Sequence, residues 1–193
     1  MTHRAFLLAA GFAAALTTSP AIANEFEPAL QELATTTVAE MVTNPIIVEA
    51  IKAQNAKNAG LSQGDIDALD KKWRAEVGAS STPTIDPVLN SAVADFLREQ
   101  AEASEGVFTE IFVMDNHGLN VAASDTTSDY WQGDEAKWQK TYGAGAGAVL
   151  IGDVELDEST QSYQSQISVS IVDPATGEPI GAATFGVSVE MLN

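Results

Sequence analysis

VFTEIFVMDNHGLNVAAS, residues 107–124, decides the fold. Upstream of it apolar residues recur at the three-to-four spacing of helices, whereas here β-branched and aromatic residues crowd together at the period of strands. The runs VFTEIFVM and LNVAAS flank Asp115-Asn116-His117-Gly118, whose glycine suits a left-handed backbone. The spacing predicts a β-hairpin. Residues 24–105 then read as mainly helical and residues 106–193 as a sheet.

Working back from the hairpin, FEPALQELATTTVAEMVTNP (residues 26–45) carries Leu30, Leu33, Val38, Met41 and Val42 at helical spacing. Thr43 or Asn44 caps a continuation that starts at Pro45 and keeps the stripe through Ile47, Val48 and Ile51 as far as Gly60. This predicts a long, kinked N-terminal helix. Ser62 and Asp65 have capping-box spacing before Ile66, Leu69, Trp73 and Val77. A small, polar linker at 79–84 leads to Asp86-Pro87, which caps a helix burying Val88, Leu89, Val93, Phe96 and Leu97.

Working forward, SDYWQGDEAKWQKTYG (residues 128–143) gathers Tyr130, Trp131, Trp138 and Tyr142 in a chain otherwise poor in aromatics. As a helix over 129–142 it places Trp131, Glu135, Trp138 and Tyr142 on one stripe. Two readings stand for that stripe, packing against a sheet and lining a ligand pocket, since both use large rings with one polar handle. GAGAGA connects to VLIGDVEL, then QSYQSQISVSIVD, a turn at 174–177 and PIGAATFGVSVEML. The expected fold is α+β: a five-stranded antiparallel sheet with a long N-terminal helix and additional helices packed across it.

The first residues address the compartment. Arg4, the run AFLLAAGFAAAL, Pro20 and Ala21-Ile22-Ala23 form the pattern of a secretory signal, so residues 1–23 are expected to be removed and the mature, periplasmic chain to begin at Asn24. No later stretch has the roughly 20 apolar residues of a membrane span. The chain has 27 acidic against 9 basic residues, a formal charge of −18. That balance opposes nucleic acid or anionic membrane as a partner, because both are bound through Lys and Arg. Cysteine is absent, which excludes thiol catalysis and thiolate metal sites.

Taken together, FVMDNHGLNVAASDTTSDYWQGDEAKW and the closing IVDPATGEPIGAATFGV resemble a single Cache domain, the PAS-like, PDC-type sensor module of bacterial receptors, here in free-standing form. The resemblance covers essentially all of residues 24–193 and implies a small molecule held between the sheet and the segment Ser124–Tyr142. It implies an aromatic wall of Tyr130, Trp131 and Trp138, with Asp129 or Asp134 as an anchoring carboxylate. It also implies a membrane receptor or kinase as signalling partner. Many amino-acid-binding members place an arginine beside the aromatics and an aspartate in the last strand. Here no arginine follows Arg98 and Gly186 stands where that aspartate would be, which turns the reading away from an α-amino acid.

Lys137 and Lys140 are the only cations among residues 99–193, so an amine, a urea-like or another neutral polar ligand is favoured. The expected ligand-binding set is Asp129, Tyr130, Trp131, Asp134, Lys137, Trp138 and Tyr142. The alternative for Lys137 is a solvated pair with Asp134. Catalysis has little to work with: His117, the one histidine after residue 3, is expected in an exposed turn, and no nucleophile elbow occurs. No enzyme activity and no cofactor are expected. Asp153, Glu155 and Asp157 alternate along a predicted strand and offer either a solvated edge or calcium ligands without EF-hand spacing. Asp65, Asp67 and Asp70 lie at a helix start, where the dipole favours acids. A reading from another class keeps the chain as an interaction module that dimerises through its N-terminal helix.

Overall fold

The hairpin forms where the sequence places it. The computed structural model describes residues 24–157 and 162–192; the expected signal at 1–23 lies outside the described residues. Strand β1 (Phe108–Met114) pairs antiparallel with β2 (Asn120–Ala123), and the turn closes through Asp115 N to Leu119 O and Gly118 N to Asp115 O, with Gly118 at φ +82°. The turn holds its shape through the Asp115 carboxylate: Oδ1 accepts from His117 N at 2.8 Å and Leu119 N at 2.9 Å.

Among the described residues the sheet has six strands, the others being β3 (Val149–Ile151), β4 (Glu155–Asp157), β5 (Ser162–Val172) and β6 (Pro179–Ser188). Their order is β2-β1-β6-β5-β3, with β4 also on β5, all pairs antiparallel. This is the α+β, PAS-like sheet expected, with one difference. VLIGDVEL is not one strand. Ile151 faces Ile167 and Glu155 faces Gln164, so the outer strand carries one residue more than its partner and breaks at Gly152. The Gly152 carbonyl there accepts from Ser165 Oγ at 2.8 Å and from Asn24 Nδ2 at 3.2 Å. The β5–β6 turn, with Gly177 at φ +74°, is as predicted.

One sheet face carries the main core. Ile111, Val113, Ile167, Val169, Phe185 and Val187 pack beneath α1 (Glu27–Leu33), α3 (Pro45–Asn58) and α6 (Ala92–Ala103). The long N-terminal helix is two helices rather than one kinked one. From α1 the chain passes through a π turn at Ala34–Val38 into α2 (Ala39–Met41), and Thr35 and Thr36 bond back to the Gln31 and Glu32 carbonyls in that stretch. It then breaks at Asn44, extended at φ −61°, ψ 129°, whose side chain caps α3 through Ile46 N ahead of Pro45. The apolar stripe from Leu30 to Ile51 is buried against this chain's own sheet.

Helix α4 (Gln63–Glu76) starts with the predicted capping box. Ile66 and Trp73 are buried, but Val77 lies past the helix end and is exposed. The predicted helix after Asp86 divides into α5 (Asp86–Leu89) and α6, because Ser91 is extended and caps α6 through Ala94 N. Asp86 is inside α5 and does not cap it; its carboxylate instead accepts from Thr82 Oγ1.

Helix α3 is tied to the hairpin by a polar face. Gln54 Nε2 and Asn58 Nδ2 donate to the second oxygen of the fully buried Asp115 at 3.1 and 2.9 Å. Asn55 accepts from Asn116 N and donates to Ile180 O. Removing a charged acceptor strands its donors in a place that water does not reach, at about 1–3 kcal/mol each. Asp115→Ala is therefore expected to lower the unfolding free energy by about 4 kcal/mol or more in urea titration. The exposed Asp125→Ala should stay within about 0.5 kcal/mol of the parent.

Candidate functional site

The opposite sheet face is divided between an aromatic cover and an open cavity. The cover packs Trp73 of α4, Ile85 at the start of α5 and Val88 within it onto Phe112, Met114, Ala123 and Ala182, with Tyr130, Trp138 and Tyr142 against them. Tyr130 stacks on Trp73 at 5.1 Å between centroids, and Trp138 meets Tyr142 at 4.9 Å.

These rings are not on a helix over 129–142. Only α7 (Ala136–Gln139) and a short 3-10 turn at Tyr142–Ala144 are helical there. Tertiary partners claim the backbone that a helix would have used. Asp70 Oδ1 accepts from Tyr130 N at 2.9 Å and Trp131 N at 3.1 Å, Tyr130 O accepts from Asn120 N, and Gln132 N donates to Gly118 O. Residue 131 thus bridges Leu119 as a strand would. The approach needs glycine on both sides, since a Cβ on Gly118 would fall 2.6 Å from the backbone of Gly133.

The indole of Trp131 donates to His117 O at 2.8 Å and that of Trp138 to Asp115 O at 3.1 Å. Asp129 is held by Arg74 Nη2 at 2.9 Å and Gln132 Nε2 at 2.6 Å, and Asp134 is exposed. The arginine beside the aromatics thus comes from α4, ahead of the hairpin. The sequence hint was its position one residue after Trp73 and four after Asp70, which leaves Asp70, Trp73 and Arg74 free to grip one loop together; Trp73 Nε1 donates to Thr127 O at 2.8 Å. His117 sits in the turn as expected, but its ring is half-buried rather than exposed, and Nε2 has no hydrogen-bond partner among the described residues.

The cavity, about 510 Å³, lies between α7 and the β3–β5 side of the sheet. Glu110, Gln164, Gln166 and Ser168 rise from the strands, Leu150, Asp153, Glu155 and Leu156 form the outer wall, and Glu135, Ala136 and Lys137 close the α7 side. Of the seven sequence-predicted ligand residues, Lys137 lines it; Tyr130, Trp138 and Tyr142 pack into the neighbouring core. Lys137 pairs with Glu135 at 3.0 Å, not with Asp134, and its ammonium stands 5.3 Å from the Phe112 ring centroid. Asp153 lies in the break between β3 and β4 and Glu155 opens β4, so the acids do not alternate along one strand, and no group of three acidic or histidine side chains among the described residues is placed to hold a metal ion.

A bulge fits the cavity floor. Phe108 faces Val187 and Glu110 faces Gly186, so Thr109 and Glu110 share the space over one residue of β6. A Cβ on Gly186 would lie 2.5 Å from Thr109 Oγ1 and 2.7 Å from Glu110 Cγ. Thr109 Oγ1 donates to Gln164 Oε1 at 2.6 Å, and Gln166 Nε2 approaches Glu110 Oε1 at 3.4 Å. Glu110 therefore crosses β6 at its glycine and reaches β5. This position carried no local signal in the sequence, because only the pairing of β1 with β6 brings residues 110 and 186 together.

No family model and no curated protein matches the chain. Solved structures do. The ligand-binding domain of the Campylobacter jejuni chemoreceptor Tlp3, in complex with 4-methylisoleucine, matches at 12% identity and TM-score 0.40, covering 84% of this chain and 64% of that one. The ligand-binding domain of the Pseudomonas fluorescens chemoreceptor CtaA with L-valine matches at 15% and 0.39, covering 67% and 54%. The sensor domain of the V. cholerae histidine kinase DctB matches at 12% and 0.38, covering 87% and 59%. The chain thus spans less than two thirds of the length of each of these sensor domains.

Burial raises the Tyr130 phenol to about 12, and the Asp115 charge adds to the shift; Tyr142 is raised for the same two reasons. The folded state thus keeps the phenol neutral after the unfolded chain has begun to ionise near pH 10. Its contribution is complete below pH 10 and is lost as pH rises to about 12, roughly 3 kcal/mol at the full shift. Urea unfolding across that window should show the parent losing about 2–3 kcal/mol more than Tyr130→Phe.

Proposed function

We propose that this chain is an exported, Cache-type sensor domain that binds a small polar molecule without turnover in the cavity beside α7. The observation that carries the reading is the cavity itself: about 510 Å³, on the PAS-like sheet, closed on one side by the segment that follows β2. That volume is in the range of small-molecule sites, roughly 300–1,000 Å³. Its lining of amides, hydroxyls and carboxylates suits a polar ligand bound noncovalently. In this reading Lys137 contacts the ligand, and the aromatic cover acts as the wall that fixes α7 rather than as the contact surface.

Occupancy reaches a membrane receptor or kinase through the segment 124–142, which touches the cavity through α7 and grips α4 through Asp70, Trp73 and Arg74. A ligand that draws α7 toward β5 moves this loop and with it an outer helix. Among the described residues no helix is long and apolar enough to cross a membrane.

The test is a thermal-shift screen of residues 24–193 against amines, ureas, amino acids, carboxylates and nucleobases. A ligand at 100 times its Kd stabilises the native state by about 2.7 kcal/mol, which raises Tm by several degrees. Ala136→Trp, an exposed position on the cavity wall, should fold normally and abolish the shift. A screen in which no compound of any class raises Tm overturns the reading.

A further inference from the structure

We propose that the ligand of this cavity is an organic ammonium ion, with Glu110 as its principal anchor; this rests on the reading that the cavity is a ligand site. The cavity defines the place, and its charge and acceptor geometry define the class.

Among the described residues four carboxylates line it, Glu110, Glu135, Asp153 and Glu155, against one ammonium, Lys137. That ammonium is already committed to Glu135 at 3.0 Å and to the face of Phe112. A ligand carboxylate entering here meets an excess of like charge and has to break an existing ion pair to find a cation. The two described arginines offer no substitute. Arg74 holds Asp70 and Asp129, while Arg98 holds Asp95 and the Leu89 carbonyl, and neither lines the cavity.

An alkylammonium group has three donors and no acceptor, so its site needs several oxygens around one point and a wall for the carbon chain. The floor at Gly186 supplies the oxygens: the bulge brings the Glu110 carboxylate across β6, with Gln164 and Gln166 on the next strand. Gln166 already donates to Glu110 and Thr109 to Gln164, so the floor is assembled before a ligand arrives. Leu150, Leu156 and Ala136 supply apolar wall, and Asp153 and Glu155 stand at the outer end. A bare calcium ion fits less well, because it requires about six to eight oxygens at 2.3–2.6 Å, and these acids are spread along the cavity with no three of them grouped for coordination among the described residues.

The probes are 1,4-diaminobutane, butane-1,4-diol and succinate, matched in length and differing in charge, titrated calorimetrically into residues 24–193 at low and moderate salt. The diamine is expected to bind at least 10-fold more tightly than the other two and to weaken with salt. Glu110→Gln, checked for native circular dichroism, should weaken it at least a further 10-fold, as loss of a charged hydrogen-bond acceptor does. The exposed Asp125→Ala, outside the cavity, should leave the diamine bound as tightly as in the parent. Diamine binding that Glu110→Gln does not change is attraction to the acidic surface at large and overturns the proposal. Preferred binding of succinate or the diol, or a hit only among neutral or anionic members of the wider screen, also overturns it while leaving the sensor reading intact. If nothing at all binds, both fall.

Discussion

The buried carboxylate of Asp115 is the constraint on which the rest of the structure depends. A charge with no exposure is tolerated only when its lone pairs are filled, and here four donors fill them: two turn amides and the side chains of Gln54 and Asn58. One acid thereby fixes the hairpin's shape and its distance from α3. The carbonyl of the same residue accepts from Trp138 Nε1, so the aromatic segment takes its position from the same point. Sheet, helix layer and cavity wall meet at one residue.

From that point the two faces of the sheet diverge. One is a closed apolar layer under α1, α3 and α6, in which β-branched and aromatic residues of β1, β5 and β6 alternate inward. The other begins apolar near the hairpin, at Phe112, Met114 and Ala182, and becomes polar toward the far ends of the strands, at Glu110, Gln164, Gln166 and Ser168. The aromatic segment covers the first part and stops. Its rings have polar handles anchored to backbone carbonyls, so they cannot slide over the polar part to close it. The cavity is what remains of that face.

Anchoring also couples the cavity to the outside of the molecule. Asp70, Trp73 and Arg74 of α4 hold residues 127–131 from one side, and Glu135 and Lys137 face the cavity from the other. The intervening residues are bonded in turn, Gln132 N to Gly118 O, Gln132 Nε2 to Asp129 Oδ1 and Glu135 N to Gln132 O, so α4, the loop and the cavity wall form one connected network.

Local patterns were legible wherever a local rule acts alone. The hairpin with its glycine, the capping box of Ser62 and Asp65, the restart at Asn44-Pro45 and the turn at 174–177 each depend on residues within a few positions of one another, and the amino-acid sequence determined them. It also determined the α+β class, through the change of period at Val107. The helix over 129–142 failed for a physical reason. Its apolar spacing is real, but Asp70, Asn120 and Gly118 claim its backbone groups, and tertiary hydrogen bonds outweigh a propensity worth tenths of a kcal/mol per residue. The cavity lining was hidden in the same way. Glu110, Gln166 and Gly186 belong to three strands and look like ordinary surface or core positions one at a time; only the antiparallel register, with its one-residue bulge, sets them side by side. Elements follow from neighbours along the chain, whereas the site follows from the pairing of β1 with β6, which sets Glu110 beside Gly186 from 76 positions away, and that pairing is decided by burial of the whole sheet.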